Sequence, residues 1–221
     1  VEGWHGVPYG KPVTRTKEYI KIMRQIFDRE GPVEFDGKMY QMPYKGEGAT
    51  GLGKPLKSIL ASTQSIPIYT ASITPAGLRC AGEVADGVFP VWMDPTRYDV
   101  IGDHLTEGFA NAGNGKDLSN FNIAPFVSVA MNDDLDAAFD SLRPWIALYV
   151  GGMGARDMNF YFNYATSMGF GDAARKIQDL YLAGKKNEAA AEVPNELLDA
   201  VSLIGSRERI IDRLQPWKEA G

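Results

Sequence analysis

A short apolar strand, a polar junction with a helix-capping residue and then an amphipathic helix recur three times between Ile66 and Leu142, and no other feature constrains the fold as much. The first unit is Ile66 to Ser72, then Thr74-Pro75 as cap and first turn, then a helix through Leu78 and Ala81 to Ala85. The second is Gly87 to Met93, then Asp94-Pro95 opening a helix that carries Tyr98, Ile101, Leu105 and Phe109. The third is Phe121 to Met131, then Asp133-Asp134 ahead of a helix with Leu135, Ala138, Phe139 and Leu142. Strands separated by helices pair in parallel, so the pattern predicts an α/β fold with a parallel sheet.

The flanking segments extend this reading. Lys11 to Arg29 places Tyr19, Ile22, Met23, Ile26 and Phe27 on one helical stripe, with Pro12 in the first turn. Asp36-Gly37 between Val33-Glu34-Phe35 and Lys38-Met39-Tyr40 predicts a small hairpin, and Tyr44 to Pro55 is loop, which together make an insertion at about residues 31–57. Beyond the third unit the spacing predicts helices over Asn159–Met168, Ala173–Ala183, Asn195–Leu203 and Arg207–Glu219, the last with Ser206 as N-cap. In a closed barrel each helix leads to the next strand, so a further strand is expected after Gly221 and another before the first helix. The chain opens on Val1 in a Gly/aromatic loop and reads as a single partial domain over 1–221, with about three of the eight strands that a barrel needs.

Composition narrows the function classes. The 221 residues are 44% hydrophobic and 23% charged, which fits one sizeable core. A net charge of -5 with no run of lysines or arginines gives no footprint for nucleic acid or an anionic membrane. The lone Cys80 has no partner for an internal disulfide, and no apolar run reaches the roughly 18 residues that span a bilayer, so a cytoplasmic protein is expected.

Four stretches carry candidate chemistry. Val1-Glu2-Gly3-Trp4-His5-Gly6-Val7-Pro8 reads either as a loop whose backbone approaches a phosphate or flat ring, or as a surface turn with Trp4 packed on the core and His5 solvated. Gly46 to Gly51 spells G-x-G-x-x-G and Gly48 to Lys54 spells G-x-x-x-x-G-K. Neither has a strand before it and a helix after it, and Pro55 stands where a phosphate loop needs Ser or Thr. The strand ends Thr70–Thr74 and Val91–Asp94 are where barrel ligands gather, and Ala71 and Ser72 are small enough to admit a planar cofactor or simply to pack under the next helix. Gly151-Gly152 caps a helix or belongs to a ligand loop with Arg156, near Asn159, Phe160 and Tyr161. No G-x-S-x-G or H-E-x-x-H occurs, and only His5 and His104 are present to serve a triad or a metal, so hydrolase and metal chemistry are not expected.

In order along the chain, V-E-G-W-H-G-V-P, the Asp36-Gly37 turn, T-G-L-G-K-P, P-I-Y-T-A-S, A-G-E-V-A-D-G and L-Y-V-G-G-M-G-A-R resemble the luciferase-like monooxygenase superfamily, in its branch dependent on coenzyme F-420. The resemblance implies a (β/α)8 TIM barrel of the bacterial luciferase type, incomplete in this chain, in a cytoplasmic homodimer. It implies an oxidoreductase that transfers hydride between reduced coenzyme F-420, an 8-hydroxy-5-deazaflavin, and an organic small molecule. The alternatives are an FMN-dependent monooxygenase and a shortened flavin-binding protein without catalysis. Carried over residue by residue, Glu2, Gly3, Trp4 and His5 receive the cofactor phosphate, Ala71, Ser72 and Ile73 lie against its ring with Thr74 near it, and Val91 and Trp92 line the substrate side. No metal is implied, and no general acid is assigned; His5 is the candidate.

Overall fold

The computed structural model describes residues 1–59 and 64–219. In chain order the elements are α1 (Glu2–His5), α2 (Pro12–Asp28), β1 (Phe35–Asp36), β2 (Gln41–Met42), β3 (Tyr69–Ala71), α3 (Pro75–Val84), β4 (Gly87–Phe89), α4 (Asp99–Ala112), β5 (Asn122–Ile123) and β6 (Ser128–Met131). Then come α5 (Leu135–Gly152), α6 (Phe160–Ala165), α7 (Gly171–Leu182), α8 (Lys186–Ala191), α9 (Asn195–Val201), β7 (Ser202–Gly205), α10 (Arg207–Arg213) and α11 (Gln215–Glu219). The strands form an antiparallel pair β1-β2, a three-stranded sheet in the order β3-β4-β5, and a pair β6-β7. Two compact units result, one of Val1–Thr70, Arg79–Gly87 and Leu105–Asn122, the other of Ala71–Leu78, Val88–His104 and Ile123–Gly221.

In the first unit, α2 buries Ile20 and Ile22. Ile20 forms a core with Ile68 and Ala85, against which Met23, Phe27 and Val84 pack, so Ile22, Met23 and Phe27 of the expected stripe face inward, whereas Tyr19 is 55% exposed and Ile20, outside that stripe, is buried. Asp86 fixes the edge of this core: its carboxylate accepts from the Ile68 N–H at 2.7 Å and from Arg24 Nη2 at 2.9 Å. Helices α3 and α4 touch backbone to backbone. A Cβ on Gly82 would stand 2.5 Å from the Leu105 carbonyl oxygen, and one on Gly108 would stand 2.3 Å from that of Arg79.

The hairpin is present but longer than expected. Phe35 pairs with Met42 and Asp36 with Gln41, so Gly37 to Tyr40 form the loop and Lys38-Met39-Tyr40 are not a strand. Glu18, 9% exposed on α2, explains this. Its carboxylate accepts the backbone N–H groups of Lys38, Met39 and Tyr40 at 2.7, 2.8 and 3.0 Å, which removes them from any ladder. Burial pushes the Glu18 carboxyl up, but these three bonds together hold it below the ordinary carboxylate range.

In the second unit β6 and β7 pair in parallel with Ser128 opposite Ser202 and Met131 opposite Gly205. All four residues of β7 are buried, and α5, α9 and α10 pack on it. Asp134 caps α5 by accepting from the Ala137 N–H at 3.1 Å, and Ser206 caps α10 by accepting from the Arg209 N–H at 3.3 Å, both as expected.

Several boundaries differ from expectation, each for a physical reason. Helix α4 begins at Asp99 and not at Asp94-Pro95. Asp94 Oδ1 instead accepts from Thr96 N and Thr96 Oγ1 at 2.8 and 2.7 Å and closes a turn. The run Phe121 to Met131 is two strands, β5 beside β4 and β6 beside β7, with the N–H groups of Ala124 and Phe126 still donating toward the β4 side between them. The helix expected over Asn195–Leu203 ends at Val201, where Ser202 turns extended (φ -144°) and β7 begins. Gly151 and Gly152 are the last residues of α5 and not caps: a Cβ on Gly151 would stand 2.5 Å from Tyr181 Cβ, and one on Gly152 would stand 2.4 Å from the Tyr181 ring. The strand expected beyond Gly221 falls after residues 220 and 221, which lie outside the described residues.

Two outcomes test this account. Replacing Gly82 or Gly108 by Ala forces the α3 and α4 backbones apart, at a cost of about 1–3 kcal/mol. Thermal melts should then show Tm lower by several degrees, and an unchanged Tm would show that the two helices do not meet this closely. For Glu18 the folded carboxyl is depressed, so its contribution is full above the unfolded carboxylate range of about 4.3 and is lost as pH falls through the folded value. Glu18→Gln should therefore lower Tm at pH 7 and lose less on acidification than the parent; parallel curves would refute the role given to Glu18.

Candidate functional site

Two of the candidate stretches lie at strand ends of the second unit. Chain leaving β3 passes through exposed Ala71 to half-buried Ser72, Ile73 and Thr74. Thr74 Oγ1 accepts from the Gly77 N–H at 3.1 Å, its carbonyl accepts from the Leu78 N–H, and Pro75 takes the first position of α3, so the helix start is satisfied from within. Gly77 is needed there, because a Cβ would stand 2.9 Å from Thr74 Oγ1 and 3.0 Å from Ser72 Oγ. One residue earlier, Thr70 Oγ1 is buried without a hydrogen-bond partner among the described residues.

Beyond β4, Val91 bridges Phe126 in parallel and Trp92 takes a left-handed backbone (φ 54°). That conformation costs a residue with a Cβ about 1–2 kcal/mol. The Trp92 side chain is 2% exposed and packs against two tyrosines, Tyr149 with ring centroids at 5.7 Å and Tyr161 at 5.2 Å, which meet each other edge-on at 4.7 Å. Its Nε1 is buried with no partner among the described residues, which leaves about 1–3 kcal/mol of hydrogen-bonding free energy unmet. Burial pushes the Tyr161 phenol up, and burial with the charge of Asp94 pushes the Tyr164 phenol higher still, so both are neutral at physiological pH.

The aromatic surroundings of Trp92 were only partly legible. Trp145 and Tyr149 stand four apart on α5 and their rings meet at 4.4 Å, a spacing the sequence displays. That Tyr161 returns to the same place depends on Asn159, whose role as a joint between helices has no sequence signature beyond its being a capping residue type.

The remaining candidates fall elsewhere. Glu2 to His5 form one helical turn, α1, and not a loop, closed by Gly6 in the left-handed region. All four are exposed, and Trp4, 89% exposed, does not pack on the core. Space around Gly3 is open, so its backbone is reachable. Gly46 to Gly51 is a chain of bends and turns without a flanking helix. Arg156 is paired with Asp179. Cys80 is buried, and burial pushes its thiol up, which leaves it a packing residue and not a nucleophile. Among the described residues no group of three or more His, Cys, Asp or Glu is placed to hold a metal ion.

A flat cofactor with polar edges fits the strand-end set: it needs small residues beside the ring and hydrogen-bonding groups around it. Ala71 and Ser72 supply the first, and the unmatched Thr70 hydroxyl, one residue before them, is a buried group that a ligand can satisfy.

Comparison with known proteins identifies the family. The family model described as luciferase-like monooxygenase matches residues 1–221. The chain is 38% identical over 222 residues to a Mycobacterium tuberculosis protein whose name assigns it to the coenzyme F-420-dependent oxidoreductases, covering 100% of this chain and 64% of that protein. The solved coenzyme F-420-dependent tetrahydromethanopterin reductase from Methanopyrus kandleri superposes with a TM-score of 0.70 at 23% identity, over 100% of this chain and 59% of that one. An F-420-dependent secondary alcohol dehydrogenase, solved with an F-420–acetone adduct, gives a TM-score of 0.64 at 22% identity, over 100% and 57%. The chain thus spans less than two thirds of each of these relatives. Its α/β fold is that of the luciferase-like barrel enzymes, of which it covers a part. The chain belongs to the luciferase-like monooxygenase family.

Proposed function

We propose that the protein is an oxidoreductase that transfers hydride between reduced coenzyme F-420 and an organic small molecule. The observation that carries this reading is the likeness along the entire chain to a relative named for F-420 dependence, together with a β3 end built of small residues. The deazaflavin, when bound, supplies the hydride at its ring carbon. The protein's part is to hold, orient and exclude water. Ala71, Ser72 and Ile73 leave a flat surface for the ring, Thr74 stands beside it, and Glu2, Gly3, Trp4 and His5 offer exposed backbone and side chains to the cofactor phosphate. Val91 and Trp92 face the substrate, and His5 is the candidate general acid. Both compact units and the insertion at about 31–57 belong, in this proposal, to one partial barrel domain of a cytoplasmic homodimer. No helix among the described residues is long and apolar enough to cross a membrane.

The family also carries an FMN-dependent monooxygenase reading, which the cofactor itself distinguishes. Titrating the whole protein with coenzyme F-420 and, separately, with FMN should give saturable micromolar binding of the deazaflavin and weaker binding of FMN. The reverse order would assign the monooxygenase chemistry, and no binding of either would sink both readings. A second outcome concerns the ring surface. Ala71 is exposed, so Ala71→Trp should fold with Tm nearly unchanged while its bulk blocks the ring and weakens F-420 binding by about tenfold or more. Undiminished binding would remove Ala71 from the site.

A further inference from the structure

We infer that Lys21, Arg24 and Lys116 line a binding site for a small phosphate-type dianion, free or carried on an ester, in a cleft of the first unit. None of the three belongs to the strand-end set or to Glu2–His5, so the site stands whether or not the oxidoreductase reading does.

The cleft has a volume of about 480 Å³, and all of its lining residues fall within the first unit. Lys21 and Arg24 reach it from α2, three residues apart and so on one face, and Lys116 reaches it from the loop that follows α4. In a chain of net charge -5, three cations around one opening need a reason. Two carboxylates share the lining, and both are already committed. Asp86 holds Arg24 at 2.9 Å and the Ile68 N–H at 2.7 Å, and Glu83 is paired at 2.5 Å with Lys17, which is not part of the lining. The charges of Lys21 and Lys116 are left over.

Lys116 is half-buried, which makes its charge the costlier of the two to leave uncompensated. Its Nζ donates to the Ala85 carbonyl and stands 5.2 Å from the centre of the Phe121 ring, but it pairs with no carboxylate among the described residues. Burial pushes the Lys116 ammonium down, and the charge of Arg24 pushes the same way against the pull of Asp86 and Glu83, so the two cations repel across the opening. Lys21 is exposed and forms no hydrogen bond or ion pair among the described residues. Its charge is felt by Glu18, whose two oxygens are taken by backbone N–H groups.

Arg24 and Lys116 also satisfy the carbonyls of Val84 and Ala85 at the end of α3. That duty uses Nη2 of Arg24 and one of the three ammonium protons of Lys116, and the remaining donors are left for a ligand. Lys21 has no part in it, so a helix-end role alone does not account for the third cation. A dianion matches the two leftover charges, and a tetrahedral oxyanion offers acceptors to cations that approach from two elements. The cleft is several times larger than a phosphate ion, a water taking about 30 Å³, which leaves room for the organic part of an ester.

The whole protein, without cofactor, is titrated at about pH 7.5, where phosphate is mostly dianionic. Inorganic phosphate and methyl phosphate are each compared with sodium chloride of equal ionic strength, and Tm is followed. Both should give a saturable rise beyond that of the chloride; tighter binding of phosphate assigns the free ion, and tighter binding of methyl phosphate assigns an ester. Lys21→Gln breaks no bond of the fold, so it should keep the parental Tm without phosphate and bind both probes about twofold to fivefold more weakly. Lys116→Met should lower Tm through the lost bond to Ala85 and bind about tenfold more weakly or worse. If Lys116→Met does not fold, Lys21→Glu replaces it and should abolish the saturable rise. No rise beyond chloride in the parent, or parental phosphate binding in Lys21→Gln or Lys21→Glu, would overturn the inference.

Discussion

Parallel strands cannot be joined by a tight turn, and the crossover each pair needs organises most of this chain. Between Met131 of β6 and Ser202 of β7 the chain builds five helices, α5 to α9, before it returns to pair in register. Those helices have to cover something, and α5 and α9 cover β7, whose four residues are all buried. A strand in that position has no solvent face, so Ser202-Leu203-Ile204 shows no alternation. β6 keeps one: Val129 and Met131 are 60% and 71% exposed while Ser128 and Ala130 are half-buried. The same parallel register runs between β4 and the strand after it, where the N–H groups of Ala124 and Phe126 donate to the carbonyls of Val88 and Pro90 in matching steps of two.

Helix starts at the strand ends follow from this arrangement. Thr74, Asp134 and Ser206 each satisfy a backbone N–H in the first turn of the helix that follows a strand. At the first of these starts the absence of a side chain on Gly77 lets the hydroxyls of Ser72 and Thr74 stand where they do.

Legibility in the sequence followed how local the cause was. Thr74, Asp134 and Ser206 lie within three residues of the groups they cap, and all three functions were readable from residue type and position. Asp36-Gly37 alone predicts a two-residue turn, because the controlling group, Glu18, lies about twenty positions away on another element. Asn195 to Leu203 has helical spacing, and only pairing with β6 decides that Ser202 and Leu203 are strand. Asp94-Pro95 has the residue types of a helix start, yet the Asp94 carboxylate closes a turn at Thr96 instead. At the candidate site, strand-end small residues were legible from the β/α repeat, whereas the Trp92 environment needed the return of Tyr161 through Asn159, a tertiary fact.

Magnitudes decide whether Trp92 can hold its conformation without help from a ligand. Left-handed backbone and an unmet indole N–H together cost about 2–5 kcal/mol. Against this, burying an indole removes about 150–250 Å² from water, and at about 25 cal/mol per Å² that contributes roughly 4–6 kcal/mol. Its two ring contacts with Tyr149 and Tyr161 contribute about 0.5–1.5 kcal/mol each. Packing therefore outweighs the strain, and burial of the indole alone is enough to hold Trp92 in this conformation. The backbones of the two tyrosines are tied together by a single amide, Asn159, which donates to the Tyr149 carbonyl and accepts from the Tyr161 N–H. Asn159 makes no bond to Trp92, so what it contributes there is carried by the ring contacts of Tyr149 and Tyr161 with the indole.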